Sequence, residues 1–216
     1  MFVANRMAKN PITVTPETKV DAARELMKKH HFRRLPVVDE DGRLVGFLSD
    51  RDIMRVSPSP ATTLSRYEIT SLLAKMRIED IMQKNVVSVN EDATIEEAAL
   101  IMYNHKIGGL PVISSVGVVV GVITETDIFK TFVDVMGLTH GKTRFTIADV
   151  GDKVGVVRDL AGAISDCGCN IDSLVTCQQE DGNYEIVVRF DTADSDAVRR
   201  KLEEKGFHVA HVVKIG

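Results

Sequence analysis

Apolar residues in the first part of the chain follow two spacings, one typical of helices and one typical of strands. A helix with one buried face is predicted where apolar residues recur every three or four positions, and these are Val20, Ala23, Leu26 and Met27. A short strand over 11–14 precedes this helix, and two apolar strands, 35–38 and 44–48, follow it on either side of a turn at Asp41-Gly42. The two strands predict a β-hairpin, and a closing helix is expected from Asp50.

The same pattern occurs a second time, with an offset of 75 residues that places Met7 on Met82 and Gly46 on Gly121. The second copy has strands over 86–89, 110–113 and 119–123, and a closing helix expected from Glu125. Other residues identical in both copies at this offset are Lys9, Asn10, Val14, Ala23, Met27, His30, Leu35, Pro36, Val37, Gly42, Asp52 and Ile53. Because the register holds through turns as well as apolar segments, we interpret the pattern as an internal repeat. One copy is small for an independent core, so we expect the two to pack as a pair.

Residues 56–76 separate the copies. The sequence Ser57-Pro-Ser-Pro60 interrupts the preceding helix, and residues 67–76 predict another one. This segment is expected to be a linker.

The last part of the chain has a different order of elements. Strands are predicted over 144–150, 170–179, 184–190 and 207–214, and helices over 154–165 and 194–205. The turn at Asp181-Gly182-Asn183 predicts a hairpin, and Gly206 is expected to end the last helix. The order β-α-β-β-α-β is that of ferredoxin-like folds, so the whole chain is predicted to be an α+β protein.

Composition excludes some classes of function. The chain has 216 residues, 27 Lys and Arg, and 31 Asp and Glu, so its formal net charge is −4. Proteins that coat nucleic acid use many cationic contacts to phosphates, so nucleic acid is not an expected partner. The longest apolar run, 116–123, is shorter than the roughly 18–20 residues that a membrane span needs. No signal-peptide pattern begins the sequence, and three cysteines fit a reducing compartment. We therefore expect a cytoplasmic protein.

The repeat resembles a tandem pair of cystathionine-beta-synthase (CBS) domains, also called a Bateman module. The motifs that carry the resemblance are R-L-P-V-V-D at 34–39, G-F-L-S-D-R-D-I at 46–53, G-L-P-V-I at 109–113 and G-V-I-T-E-T-D-I at 121–128. On this resemblance, residues 1–55 are the first CBS domain, 56–76 the linker and 77–135 the second domain.

Residues 142–216 resemble an ACT domain, a small regulatory module that often binds amino acids between copies. The carriers are Asp152-x-x-Gly155 at the first strand-to-helix turn and Gly168-Cys-Asn-Ile171 at the second strand. The resemblance implies that Asp152, Gly155 and Asn170 lie near an amino-acid effector. A CBS pair followed by an ACT domain resembles the acetoin utilization protein B family, which implies a link to acetoin or other short-carbon catabolism.

Ser49-x-x-Asp52 and Thr124-x-x-Asp127 are the main candidate site motifs. From spacing alone, each predicts a capping box at a helix N-terminus. The CBS resemblance implies instead that these side chains bind the ribose of an adenosine ligand, and the two roles are compatible. A carboxylate can accept charge-assisted hydrogen bonds from both ribose hydroxyls.

The two clefts are expected to differ in charge. Arg33, Arg34 and Arg51 lie around the first motif, whereas Gly108, Gly109 and Thr126 occupy the matching positions of the second copy. The planar guanidinium suits phosphate, so the first cleft is predicted to hold AMP, ADP or ATP. The second would hold an uncharged nucleoside, S-adenosylmethionine or nothing. The alternative is that these arginines form a solvated face.

The family resemblance also implies an adenine-contacting set, for which plain core packing of the side chains is the alternative. These residues are Ile12, Thr13, Leu35, Pro36, Val87, Ser88, Leu110 and Pro111.

The remaining candidates favour structural roles. His30 and His105 lie near helix C-termini, where a cation is favoured. Cys167, Cys169 and Cys177 have no fourth ligand at a zinc-binding spacing, so no metal is expected, and no catalytic motif occurs.

We therefore predict a non-catalytic regulatory homodimer that senses an adenine nucleotide or S-adenosylmethionine and acts on an unidentified protein. The alternative is a scaffold with empty clefts.

Overall fold

The computed structural model describes residues 1–56, 75–138 and 141–214. These residues divide into two compact units, Met1–Ile128 and Phe129–Gly216. Both contain helices and antiparallel strands, so the predicted α+β class is confirmed. The predicted linker at 56–76 lies mostly outside the described residues, as does most of the helix expected over 67–76.

The two repeats contain the same sequence of elements. In chain order the elements are β1 (Ala8–Lys9), α1 (Val20–His30), β2 (Arg34–Val38), β3 (Leu44–Ser49), α2 (Asp50–Val56), β4 (Val89–Asn90), α3 (Ile95–His105), β5 (Gly109–Ile113), β6 (Val119–Thr124) and α4 (Glu125–Val135). The hairpins β2–β3 and β5–β6 are antiparallel. Their turns contain Gly42 and Gly117, whose φ angles are 77° and 83°. This left-handed conformation is one that glycine adopts at little cost.

The strands expected over 11–14 and 86–89 are much shorter than predicted. In the first copy only Val14 pairs, as a single parallel bridge to Val37. In the second, β4 begins at Val89 and runs parallel to β5. Pro11 has no backbone N–H to donate, which disfavours a longer ladder in the first copy.

Each repeat is completed by residues that precede the other repeat. The strand β1 pairs with β6 of the second copy through Ala8↔Val122 and Lys9↔Gly121. Gln83, which is 75 positions after Ala8, pairs in the same way with Phe47 of the first copy. The two exchanges are related by the repeat offset, so the copies form an intertwined pair with approximate two-fold symmetry.

The hydrophobic cores show the same exchange. The core of the first repeat includes Ile78, which is fully buried and comes from the sequence before the second repeat. The core of the second repeat includes Val3, which is also fully buried and comes from the start of the chain. Each core therefore contains residues from both segments of sequence, and burial of these apolar side chains links the copies.

The helices α1 and α3 both end on a non-glycine residue in left-handed conformation, His31 with φ 57° and Lys106 with φ 55°. This conformation costs a residue with a Cβ atom about 1 kcal/mol. We predict that Lys106→Gly raises the free energy of unfolding by about 1 kcal/mol, because glycine removes this strain. Urea unfolding measures the change, and Lys106→Ala is the control that keeps the Cβ atom. Equal stability of the two variants would contradict the prediction.

The second unit contains β7 (Thr143–Val150), α5 (Val156–Ser165), β8 (Ile171–Gln178), β9 (Tyr184–Phe190), α6 (Ser195–Glu204) and β10 (His208–Lys214). The β-α-β-β-α-β order is the one that the sequence predicts. The four strands form an antiparallel sheet in the order β10-β7-β9-β8. Helix α5 begins at Val156 and not at Val154, because Gly155 has a φ of 96°, which is not helical.

The core of this unit lies between one face of the sheet and the two helices. Phe145 and Phe190 stack with ring centroids 4.7 Å apart. They pack in one buried cluster with Leu160 and Ile164 of α5 and Leu202 of α6. Since side chains alternate along a strand, neighbours of Phe145 and Phe190 in sequence point to the opposite face.

Candidate functional site

A cavity of about 800 Å³ lies within the first unit and is lined by both repeats. A volume of this size is in the range of small-molecule sites, roughly 300–1,000 Å³. The repeats contribute matching positions, such as Ile12 with Val87, Asn10 with Asn85 and Ser49 with Thr124. The cavity therefore lies on the approximate two-fold axis of the pair.

The Ser49–Asp52 pair is a capping box whose carboxylate is almost fully buried. The Ser49 N–H donates to Asp52 Oδ2 at 2.9 Å, and Ser49 Oγ is 2.5 Å from the same oxygen. Asp52 Oδ1 is 3.6 Å from Nη1 of Arg55. Asp52 is only 7% exposed, yet it lines the cavity. Its carboxylate thus serves as a helix cap and also borders the cavity.

The matching pair in the second repeat has the same two hydrogen bonds to its carboxylate but a different relation to the cavity. The Thr124 N–H and hydroxyl both donate to Asp127 Oδ2, at 2.8 and 2.7 Å. Thr124 lines the cavity, whereas Asp127 is not among its lining residues. Among the described residues, the bond from the Asp52 N–H to Ser49 Oγ, 3.3 Å long, has no counterpart in the second motif. The two motifs therefore differ both as caps and as cavity walls.

The three predicted phosphate-binding arginines, Arg33, Arg34 and Arg51, all line the cavity. Five lining residues, Lys9 and Arg55 included, carry a fixed positive charge, against three carboxylates on Asp50, Asp52 and Glu125. This excess of positive charge favours an anionic occupant.

Arg34 reaches from the first repeat to the second. A Cβ atom built on Gly108 would lie 2.6 Å from Nη2 of Arg34 and 2.8 Å from Oε2 of Glu125. A Cβ atom on Gly109 would lie 3.3 Å from Cδ and Nε of the same arginine. The two glycines therefore leave the space that the Arg34 side chain occupies.

The residues expected to contact adenine are only partly at the cavity. Ile12, Pro36 and Val87 line it. Leu35 and Leu110 are fully buried in the first and second core, in keeping with the core-packing alternative for their side chains. Thr13, Ser88 and Pro111 are not among the lining residues.

Sequence reasoning missed several polar lining residues, among them Asn10, Asn85, His31 and Glu125. Asn10 and Asn85 are identical at the repeat offset, and this identity could have marked them. Asn10 also has a φ of 50°, a left-handed conformation that asparagine tolerates better than most residues. Glu125 and its repeat partner Asp50 both directly follow a capping residue. The sequence therefore does not mark either of them as a cavity residue.

The residues predicted to bind an effector in the second unit lie after the end of β7 and before the start of β8. Gly155 is the residue before α5, and Asp152 and Asn170 are exposed. No hydrogen bond among the described residues joins the three. In the same unit, burial and then the neighbouring Cys169 raise the pKa of the Cys167 thiol. This shift favours the protonated form, which is a poor metal ligand.

Within 1–56, 75–138 and 141–214, no cluster of three or more histidine, cysteine or acidic residues has a geometry that suits a metal ion. Over the same residues, no helix combines the length and hydropathy needed to cross a bilayer.

The sequence profile of the CBS domain matches residues 3–59 and 78–134. The chain therefore belongs to the CBS domain family, and the predicted tandem pair is confirmed. A CBS domain-containing protein from Dictyostelium discoideum is 30% identical over 136 residues, which cover 63% of this chain and 94% of that protein. L-aspartate semialdehyde sulfurtransferase from Methanocaldococcus jannaschii is 33% identical over 131 residues, and only 23% of that enzyme is covered.

Solved structures give the same fold for the CBS pair. A CBS domain pair in complex with methylthioadenosine and S-adenosyl-L-methionine has a TM-score of 0.51 and 31% identity, covering 61% of this chain and 95% of that one. The Arabidopsis thaliana protein CBSX2 in complex with AMP has a TM-score of 0.51 and 27% identity, covering 61% and 96%. A Vibrio cholerae protein assigned to acetoin utilization has a TM-score of 0.53 and 30% identity, covering 64% and 94%.

Proposed function

We propose that the protein is a non-catalytic regulator that binds an adenine nucleotide or a related adenosyl ligand in the cavity of its CBS pair. The observation that carries this proposal is the buried Asp52 carboxylate, which borders a positively charged cavity of about 800 Å³. Relatives that hold AMP, S-adenosylmethionine or methylthioadenosine support the same ligand class. The three arginines favour a phosphorylated member of that class.

The parts of the ligand would meet different walls of the cavity. Asp52, with Ser49 beside it, would accept hydrogen bonds from the ribose hydroxyls. Ile12, Pro36 and Val87 would contact the base, and Arg33, Arg34 and Arg51 would bind the phosphates. We further propose that Thr124 and Asp127 bind a second ribose, with Leu35, Thr13, Ser88, Leu110 and Pro111 contributing through backbone groups or packing.

Gly108→Ala tests the contribution of Arg34. Its Cβ atom would overlap the positions of Arg34 Nη2 and Glu125 Oε2, so both side chains must move. We expect nucleotide affinity to fall several-fold while stability changes by less than about 0.5 kcal/mol, because both displaced groups are flexible side-chain ends. Calorimetric titration measures the affinity. In an Arg34→Ala background the same substitution should have little further effect, and an equal loss in both backgrounds would contradict the assignment.

We propose that the second unit is an ACT-like regulatory domain. Its β-α-β-β-α-β order and antiparallel sheet support this assignment. Asp152, Gly155 and Asn170 would then bind an amino-acid effector, or the unit would serve as a dimer contact. The Vibrio cholerae relative supports a role linked to acetoin or short-carbon catabolism, and the three free cysteines fit a cytoplasmic location.

A second candidate function is a protein-interaction dimer with empty clefts. It is favoured by three large apolar residues exposed on helices of the first unit, Met54 at 67%, Leu100 at 58% and Tyr103 at 80%. Contiguous exposed apolar surface favours contact with another protein, and Leu100 and Tyr103 lie one turn apart on α3. Light scattering of Leu100→Glu and Tyr103→Glu variants would test for a homodimer, which should dissociate.

The experiment that tests the main proposal is calorimetric titration with AMP, ADP, ATP and S-adenosylmethionine. Saturable binding of at least one ligand is expected, and at ~100 times its dissociation constant that ligand should add about 2.7 kcal/mol to the free energy of unfolding. Absence of both binding heat and thermal stabilisation with all four ligands would reject the sensor and favour the interaction dimer.

A further inference from the structure

Arg189, in strand β9 of the second unit, is a buried cation that has no ion-pair partner in the described part of the chain. It is only 5% exposed. Its Nε and Nη1 atoms are buried and have no hydrogen-bond acceptor among the described residues. Burial, followed by the nearby Arg144, lowers the pKa of its guanidinium. A buried guanidinium with unused donors is unfavourable unless an acceptor satisfies it.

The neighbours of Arg189 form a polar row across three strands. Arg144 on β7 and Ser173 on β8 are its register partners on either side. Phe145, Val188 and Phe190 point to the face covered by α5 and α6. Because side chains alternate along each strand, Arg144 and Arg189 lie on the other face of the sheet, next to each other.

The carboxylates of this region are already paired with other cations. Glu185 Oε1 is 3.9 Å from Nη2 of Arg144, whose Nη1 donates to the Thr146 hydroxyl. Asp172 and Asp191 are 3.5 and 3.8 Å from Nζ of Lys142. Ser173 Oγ donates to the Met136 carbonyl at 3.1 Å. Within the described part of the chain, Arg189 has no ion pair, so the positive charge at the centre of the row is unbalanced.

We propose that this face of the second unit binds a small oxyanion, the carboxylate or phosphate group of a small metabolite, held between Arg189 and Arg144. Such a group would accept hydrogen bonds from the unused Arg189 donors, and charge-assisted bonds to a guanidinium are strong and directional. The effector residues Asp152, Gly155 and Asn170 are not register partners of Arg189 or Arg144. It would make the second unit a sensor of an anion as well as a structural module.

The test follows the Arg189 Nε–Hε resonance by NMR while sodium chloride is replaced, at constant ionic strength, by sodium acetate or sodium phosphate. The resonance is assigned by its absence in Arg189→Leu. A saturable shift with one of the two anions is expected, together with a rise in the unfolding temperature of several degrees. The anion that binds more tightly, acetate or phosphate, then shows whether the natural ligand group is a carboxylate or a phosphate.

Four variants make the outcome decisive. The temperature rise should vanish in Arg189→Leu and persist in Arg200→Leu, which removes an exposed arginine of α6. Arg144→Gln should weaken the anion affinity about tenfold, and it serves as the main variant if Arg189→Leu does not fold. Equal stabilisation of wild type, Arg189→Leu and Arg200→Leu, or no saturable shift with either anion, would overturn the proposal. Asp52→Asn should leave this response unchanged, so the result is independent of the nucleotide site.

Discussion

Asp52→Asn is expected to weaken adenosyl-ligand binding by about tenfold to a hundredfold while the first repeat stays folded. A hydrogen bond to a charged group contributes about 1.5–3 kcal/mol, which corresponds to that range of affinity. The amide oxygen of the introduced side chain could still accept from the Ser49 N–H, as Asp52 Oδ2 does at 2.9 Å. The variant therefore removes the charge that would bind the ribose hydroxyls but keeps the helix cap. Calorimetric titration with the ligand that wild type binds measures the change.

The chain offers a matched control for this substitution. Thr94 and Glu97 form the same kind of capping box at the start of α3, with the Thr94 N–H donating to Glu97 Oε2 at 2.7 Å. Neither residue lines the cavity. Glu97→Gln should therefore leave ligand affinity unchanged. If Asp52→Asn binds as tightly as wild type, Asp52 is only a cap, and the ribose assignment is wrong.

The matching substitution Asp127→Asn distinguishes ligand binding at the first repeat from ligand binding at the second. Asp127 accepts the same two hydrogen bonds from its capping residue as Asp52 does, but it does not line the cavity. A loss of affinity with Asp52→Asn alone would place the ligand on the first motif. Equal losses with both variants would indicate that two ligands bind.

Gly121→Ala is expected to lower the free energy of unfolding of the first unit by about 1–3 kcal/mol, the usual cost of overpacking a well-filled site. A Cβ atom at Gly121 would overlap Sδ of Met7 and lie 3.1 Å from the Ala8 carbonyl oxygen. The methionine can move, but the carbonyl belongs to β1, which is hydrogen-bonded to β6. The substitution therefore pushes β1 away from the second repeat. Urea unfolding followed by circular dichroism measures the loss.

The matching residue of the first repeat provides the comparison. A Cβ atom at Gly46 would overlap Sδ of Met82, and its three nearest neighbours all belong to that side chain. Since methionine is flexible, Gly46→Ala should cost less than Gly121→Ala. In a Met7→Ala background, Gly121→Ala should cost about 1 kcal/mol less than in wild type. Additive effects of the two substitutions would mean that the Met7 side chain does not pack on Gly121 as described.

Much of the fold follows from local sequence patterns. Strand β9 has the predicted bounds, and the α5 and α6 helices and strands β7, β8 and β10 lie within two residues of them. These elements have regular apolar spacing or a strong turn at Asp181-Gly182-Asn183. The pairing of β1 with β6 could not be predicted, because two residues, Ala8 and Lys9, carry no periodicity and their partner is more than a hundred positions away.

The candidate site could likewise be predicted only in part. Ser49 and the three arginines were predicted from motif and charge, and they line one cavity. That Asp52 borders this cavity while Asp127 does not could not be read from two motifs of equal spacing. The burial of Arg189 could not be predicted from the sequence either, since an arginine in an apolar strand usually points to solvent.

The exchange of segments between the repeats has a consequence for biosynthesis. Lys9 pairs with Gly121, so strand β1 leaves the ribosome long before its partner strand β6 has been made. Val3 must stay unburied over the same period, because the core that receives it is built from residues 89–123. Residues 3–9 are thus synthesised well before the residues that they pack against, and until those residues are made the apolar side chains of 3–9 are available to chaperones.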